Sequence, residues 1–363
     1  MNTHKFYLLF ALFLMINALP IEAQVIERQL LFWENRTIDI GTVFEENGKI
    51  EVEFLGLNQS DSLILISDVI TDCGCTTVEF SQDTIFQSKV GSVKISYEPD
   101  HRGGPFTKLI VVRTNQDIYG DTLYLQGNNI PLPDDLMAAY AHQVKNVGFR
   151  LPAINMGNVY TNEAKRKLVE IYNFGVDSLR LMSNASSSDF IDLSLFPEVI
   201  GPDQRGLIEI AYNGADRADF GFVSDDLILN FEGKDEPVSI KLLANIFEYF
   251  EPIPKSMVQN VPRLGIQDVE IDLKDIRANQ IVKRKVKLTN QGGEPLQVRK
   301  VVGNCDCVLI NLESLLIQPN ESTDLEFTFD PMGRRGIDHK HITIFSNDPV
   351  NPVRTIVVKS TIK

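Results

Sequence analysis

The four cysteines of this 363-residue sequence fall into two pairs, Cys73-Gly74-Cys75 and Cys305-Asp306-Cys307. Residues i and i+2 of an extended chain face the same way, so each pair brings two sulfurs together. Four chemistries fit that spacing. The thiols can pack as small hydrophobes. They can close a local disulfide, but the i to i+2 Cα separation of a strand, about 6.5–7 Å, sits at the edge of what a disulfide spans. The backbone must then bend, which Gly74 allows more readily than Asp306, and a bond closed that way would be readily reduced. As thiolates, Cys73, Cys75, Cys305 and Cys307 are candidate ligands for Cu or Zn, each pair supplying half a site. Finally, a thiol can meet a partner's thiol in trans. No other cofactor is indicated. Ser188-Asp189-Phe190-Ile191 stands where a third pair would fall, so the fold does not need the cysteines.

Other chemistry is sparse. His339 and His341 share one face of a strand, but Ile342 and Ile344 hold the opposite register and look buried, which turns the histidines to solvent. Asp216, Asp219, Asp225, Asp226 and the Asp134-Asp135 pair could draw calcium if they converged at a joint, yet no twelve-residue calcium loop is present. Gly-x-Ser-x-Gly, His-Glu-x-x-His, the phosphate-binding Gly loop and the dinucleotide fingerprint are all missing, which points away from an enzyme. The formal net charge of -14 argues against nucleic acid, whose phosphates need clustered Lys and Arg.

The elements that must position these residues read as short strands. Three segments open alike, with Ile38-Asp39-Ile40-Gly41, Ile154-Asn155-Met156-Gly157 and Ile271-Asp272-Leu273-Lys274. Their spacing is far longer than the ~20–50 residues of a solenoid repeat, so they mark tandem domains. Each continues with an alternating strand, a polar turn and a second strand: residues 52–58, 168–175 and 286–293 carry the first strand and the turn, in which Asn and Gly are expected to supply positive φ. Later alternating runs, at Val93–Tyr97, Leu207–Tyr212 and Leu325–Phe329, each follow a turn, clearest at Gly201-Pro202-Asp203 before the second and Gln318-Pro319-Asn320-Glu321 before the third. Roughly seven strands per ~100 residues predict an immunoglobulin-like sandwich. The lone Trp33 is placed before the first strand.

Ahead of these, Lys5, the apolar run 6–19, Pro20 and Ala23 have the order of a secretory signal, cut between Ala23 and Gln24. The run is too short to span a bilayer, and no later run approaches that length, so the mature chain is expected to carry no transmembrane segment. Pro131-Leu132-Pro133 and Pro252-Ile253-Pro254 mark two stiff joints, with a short helix expected after the first.

The third segment resembles a bacterial secreted family of unknown function built on a Cys-Gly-Cys-Thr motif, itself similar to Hydin-like (ASH) immunoglobulin-like domains. The likeness rests on Asn290, Gly292, Pro295-Leu296, Cys305, Cys307, Pro319, Glu321, Phe329-Asp330-Pro331, Gly336 and Ser346-Asn347-Asp348-Pro349. Asp306 and Val308 depart from the motif, whereas Cys73-Gly74-Cys75-Thr76 in the first segment has it in full. The resemblance implies a fold and an export route but no activity.

The expectation is therefore an all-β chain: a signal peptide (1–23), then three tandem immunoglobulin-like antiparallel β-sandwiches at 30–130, 151–248 and 266–363, with linkers at 131–150 and 249–265. It would be exported to the periplasm or beyond. It would act as a non-enzymatic binding or scaffold module for a protein or envelope partner. The alternative is a thiol-based redox or Cu/Zn-handling protein.

Overall fold

The computed structural model describes residues 30–182 and 188–363. The leader and its cut between Ala23 and Gln24 lie outside the described residues. The described chain is almost wholly β. Contacts divide it into two compact units that part between Asp134 and Asp135.

The first unit holds β1 (Leu31–Trp33), β2 (Thr37–Phe44), β3 (Ile50–Asn58), β4 (Ile66–Thr71), β5 (Thr76–Phe80), β6 (Val90–Tyr97), β7 (Gly104–Thr114) and β8 (Asp121–Ile130). Two sheets, β1-β3-β6-β5 and β2-β8-β7-β4, enclose a core that includes Phe54, Ile95, Ile110 and Leu123. The alternation of β6 is clean, with Gly91, Val93, Ile95 and Tyr97 inward. Trp33 does not precede the strands. It lies in β1, is buried, and donates its indole N–H to Asp121 at 3.0 Å.

The second unit contains two further cores. One is built from α1 (Leu136–Ala139), β9 (His142–Val144), β10 (Val147–Phe149), β11 (Ala153–Tyr160), β12 (Lys165–Asn173), β13 (Leu179–Arg180), β14 (Ile191–Phe196), β15 (Val199–Ile200), β16 (Arg205–Tyr212), α2 (Gly214–Arg217), β17 (Gly221–Leu229) and β18 (Val238–Phe247). Its sheets run β14-β16-β12-β10-β9 and β11-β18-β17, with β13-β15 as a small flap. The other comprises β19 (Leu264–Ile266), β20 (Glu270–Ile276), β21 (Val282–Asn290), β22 (Leu296–Gly303), β23 (Val308–Leu312), β24 (Leu316–Ile317), β25 (Ser322–Phe329), β26 (Gly336–Ser346) and β27 (Val353–Ile362), in sheets β19-β21-β25-β23 and β20-β27-β26-β22-β24. Pairing is antiparallel except where the strand that opens each repeat runs parallel to the last, as β2 with β8, β11 with β18 and β20 with β27.

The expected linker 131–150 is shorter than the sequence suggested. The helix ends at Ala139, and β9 and β10 are built into the middle sandwich. Tyr140 is the anchor. It is fully buried, and its hydroxyl donates to Glu170, which also takes Arg150 at 2.7 Å and Arg205 at 2.9 Å. Burial pushes the Glu170 carboxyl up, but those hydrogen bonds outweigh it and hold the carboxyl below its usual range. The joint at 249–265 is likewise trimmed, because β19 begins at Leu264.

Two local devices recur in all three sandwiches. In the first, Gly41, Gly157 and Lys274 sit at φ 67°, 70° and 59°, and each backbone N–H is accepted by the side chain two residues earlier, Asp39, Asn155 or Asp272, at 2.8 Å. The left-handed residue kinks the opening strand and shifts its register. In the second, Asn58, Asn173 and Asn290 end their strands fully buried. None has positive φ, contrary to the turn role the sequence suggested. Each amide instead clamps two loops: Asn290 Nδ2 donates to Glu294 O (2.7 Å) and Ile317 O (3.0 Å), while its Oδ1 accepts from Gly292 N (2.9 Å). Gly292 is needed for close approach, since a Cβ there would lie 1.9 Å from Val261 O.

Asn290→Ala strips partners from two buried backbone groups, Ile317 O and Gly292 N, and from two partly buried ones, Glu294 O and Arg263 N. It is expected to lower the stability of the third sandwich by about 3 kcal/mol, measured by urea unfolding. Lys274→Gly relieves a left-handed L-residue whose ion pair is solvent-exposed. It should raise stability by about 0.5–1 kcal/mol in the same assay.

Candidate functional site

Each cysteine pair lies where the chain crosses between sheets at an open edge. β4 and β5 are both terminal strands of their sheets, and Cys73–Cys75 joins them. In the third sandwich β23 is terminal, and β24 covers only Leu296 and Gln297 of β22. The turn is the same in both places. Thr76 N donates to Cys73 O (3.4 Å) and Glu98 N to Cys75 O (2.9 Å); Val308 N donates to Cys305 O (3.2 Å) and Asp330 N to Cys307 O (2.9 Å).

This turn supplies the bend that an extended strand lacks. Cα separations fall to 5.3 and 5.2 Å, and Cys73–Cys75 and Cys305–Cys307 are disulfides. Of the four chemistries open to the spacing, the local disulfide is the one present in this oxidised state, in which the sulfurs of Cys73, Cys75, Cys305 and Cys307 are bonded pairwise and hold no free thiolate for Cu or Zn. As staples the bonds are weak. Closing a loop of roughly three residues is worth about 1.6 kcal/mol in the chain-entropy account, against about 3 kcal/mol for a fifteen-residue loop.

The surroundings of the two bonds differ. Thr76 Oγ1 lies 3.5 Å from Cys73 Sγ and 3.8 Å from Cys75 Sγ. A disulfide carries no proton, so the hydroxyl is the donor. Val308 takes its place in the third sandwich and has no donor to offer. Cys75 is buried, whereas Cys73, Cys305 and Cys307 are half-buried.

Cys305 also borders a cleft of about 580 Å³ between the second and third sandwiches, lined by Phe220, Phe222, Phe247, Lys300 and Phe345. Lys300 Nζ spans the junction to Asp219 Oδ1 (2.7 Å) and Phe220 O (2.9 Å), and Arg299 makes a two-pronged pair with Glu248 at 2.9 and 2.8 Å. Phe345 packs against Gly221, whose φ of 76° and missing Cβ let the ring approach. Phe222 stands 69% exposed at the rim. Burial pushes the Asp219 carboxyl up, but hydrogen bonds from Lys300 and the Phe220 N–H more than offset it and hold it low.

The remaining candidates separate. His339 and His341 are exposed on one face of β26, as expected. The aspartates considered for calcium each have partners of their own: Asp216 accepts from Asn213, Asp219 is paired with Lys300, Asp225 with Arg217 and the Tyr212 hydroxyl, Asp226 with Lys241, and Asp135 accepts the Ala138 N–H. Among the described residues, Glu45, Asp100 and His101 approach one another closely enough to hold a metal. The Glu45 oxygens, however, already accept the backbone N–H groups of His101 (2.6 Å) and Leu132 (2.7 Å), so this carboxylate ties down a turn and the start of the joint. No sequence signal marked that contact or the Glu170 cluster, because both depend on partners brought together by the fold.

A family model described as a protein of unknown function, DUF1573, matches residues 31–129 and 264–362, together more than half of the chain. The chain belongs to the DUF1573 family. Both matched stretches carry a disulfide, and the middle sandwich lies outside them. No curated protein matches this sequence. Among solved structures, the chain is similar to a protein of unknown function from Porphyromonas gingivalis W83 (16% identity, 60% of this chain, 99% of that one, TM-score 0.42). It is also similar to the ASH/PapD-like domain 7 of human CEP192 (10%, 31% and 92%, TM-score 0.25) and to titin domains I67–I69 (12%, 92% and 98%, TM-score 0.21). The sandwich fold is read from this chain's own strands.

Because the Asp219 carboxyl is held low in the folded state, its contribution is complete above the ordinary carboxylate range and is lost as pH falls through the lowered value. Acidification well below the ordinary carboxylate range should therefore speed limited proteolysis of the joint at 249–263, and Lys300→Met should produce part of that sensitivity at neutral pH.

Proposed function

We propose that this DUF1573 protein is an exported, non-enzymatic binding or scaffold module of the envelope or extracellular space, which takes its protein partner on the open sandwich edges. The reading is carried by β5 and β23. Each is the terminal strand of its sheet, each follows a disulfide turn, and each alternates exposed side chains, Thr77 and Glu79 in one, Leu309 and Asn311 in the other. A terminal strand offers a row of backbone donors and acceptors that an extended partner segment can complete, while alternate side chains select the segment. Leu309 is 68% exposed, an apolar contact where a solitary sandwich would favour a charge. Export is supported by the charged, apolar and small-residue order of residues 5–23. The Cys73-Gly74-Cys75-Thr76 motif supports placing the first sandwich in the Hydin-like branch of immunoglobulin-like folds.

A photocrosslinking residue at Leu309 or Thr77 should give a discrete protein adduct in intact cells, and the same residue at Lys283, on an interior strand of its sheet, should not. The recovered chain should begin near Gln24. Equal labelling at all three positions, or a chain retaining residues 1–23 in the cytoplasm, would sink this reading.

A further inference from the structure

The two disulfide turns share a backbone but differ in chemistry, and that difference reaches beyond a scaffold role. Thr76 is buried, and its hydroxyl contacts only the Cys73 and Cys75 sulfurs among the described residues. A disulfide sulfur is a weak acceptor, so this buried donor is poorly satisfied while the bond is closed. A thiolate is a strong acceptor. Opening the bond therefore improves the hydrogen bond that Thr76 makes. In the third sandwich Val308 and Gly303 stand where the first has Thr76 and Thr71, and no such gain is available.

We propose that Cys73–Cys75 is a thiol–disulfide exchange centre that accepts electrons from a protein dithiol, with Thr76 stabilising the thiolate that leaves. Cys73 is the more exposed sulfur-bearing residue, and a Cβ added at Gly74 would meet nothing within 4 Å, so the outer side of the turn is open to an incoming chain. The partner's thiolate attacks Cys73 Sγ and forms a mixed disulfide. The Cys73–Cys75 bond breaks, and its electron pair passes to Cys75 Sγ, which accepts the Thr76 O–H. The partner's second thiolate then attacks its own sulfur in the mixed disulfide and releases Cys73. The partner dithiol is oxidised to a disulfide and Cys73 and Cys75 are reduced by the same two electrons; one of the two partner protons ends on Cys73, the other is released to solvent, and Cys75 stays the thiolate that Thr76 holds. The sandwich keeps its shape through this, since the middle one is built without any such bond. Cys305–Cys307 serves as the internal reference.

The test uses the full mature chain in dithiothreitol buffers of graded ratio, with differential alkylation and mass spectrometry reporting each pair separately. Cys73–Cys75 should open about tenfold more readily than Cys305–Cys307, the size of one hydrogen bond to a charged group. Thr76→Val should erase most of the difference, Thr76→Ser should keep it, and Val308→Thr should move the second pair toward the first. Val308→Thr keeps the test decisive if Thr76→Val fails to fold. Equal opening of the two pairs in the unmodified chain, or no response to either hydroxyl exchange, would overturn the proposal.

Discussion

A single buried amide at the end of a strand, made three times, sets the frame on which everything else hangs. Asn58, Asn173 and Asn290 each leave their sheet at a point where two loops converge on the core rim. Backbone carbonyls there are cut off from water and must find a donor. The Nδ2 group supplies two hydrogens at once, to Ser62 O and Ile85 O in the first sandwich and to the counterparts in the other two. The backbone joins in. Ser88, Asp203 and Asn320, each at positive φ, donate their backbone N–H to the carbonyl oxygens of Asn58, Asn173 and Asn290. The clamp thereby fixes the distance between the hairpin after the third strand and the loop before the next core strand.

Once the frame is set, the Cys-x-Cys position is determined as well. The clamped hairpin launches β4 or β22, which runs to the sandwich edge and must cross to the opposite sheet. The crossing turn brings the two cysteine Cα atoms closer than any strand could. The disulfide is thus a consequence of the crossing, and the crossing is held by ladders that do not involve sulfur.

Much of this could be read from the residues, and the failures have physical causes. Strands covered on one face, such as β6 and β25, alternate strictly and announce themselves. β16 is buried along both faces except at Glu209, because it is interior to a five-stranded sheet whose outer side carries the Tyr140–Glu170–Arg205 cluster, so its alternation is misleading. The opening Ile-Asp-Ile-Gly phrase repeated visibly, but its meaning, a side-chain oxygen capturing the N–H of a left-handed residue, needs coordinates. Asparagine before glycine looked like turn chemistry, whereas its side chain is the functional part. For the cysteines, spacing alone could bring two sulfurs to one face but could not choose between bond, ligand and packing. That choice depends on a backbone bend of about 1–2 Å in Cα separation, which no residue type encodes by itself.

The contrast between clamp and disulfide bears on what each is for. The amide clamp satisfies several buried groups that would otherwise be orphaned, so its removal reaches the whole sandwich. The three-residue disulfide ring restrains almost nothing that the ladders have not already fixed, and the middle sandwich dispenses with it. A bond with so small a stake in the fold contributes little to holding it. It also sits on an open edge, beside a strand with a free side and, in the third sandwich, beside a cleft walled by aromatic rings. Framework and chemistry are thus separated in this chain. The groups that cannot be spared are buried and identical in all three repeats, while the groups that differ between repeats, Thr76 against Val308 above all, lie beside the disulfides at the open edges.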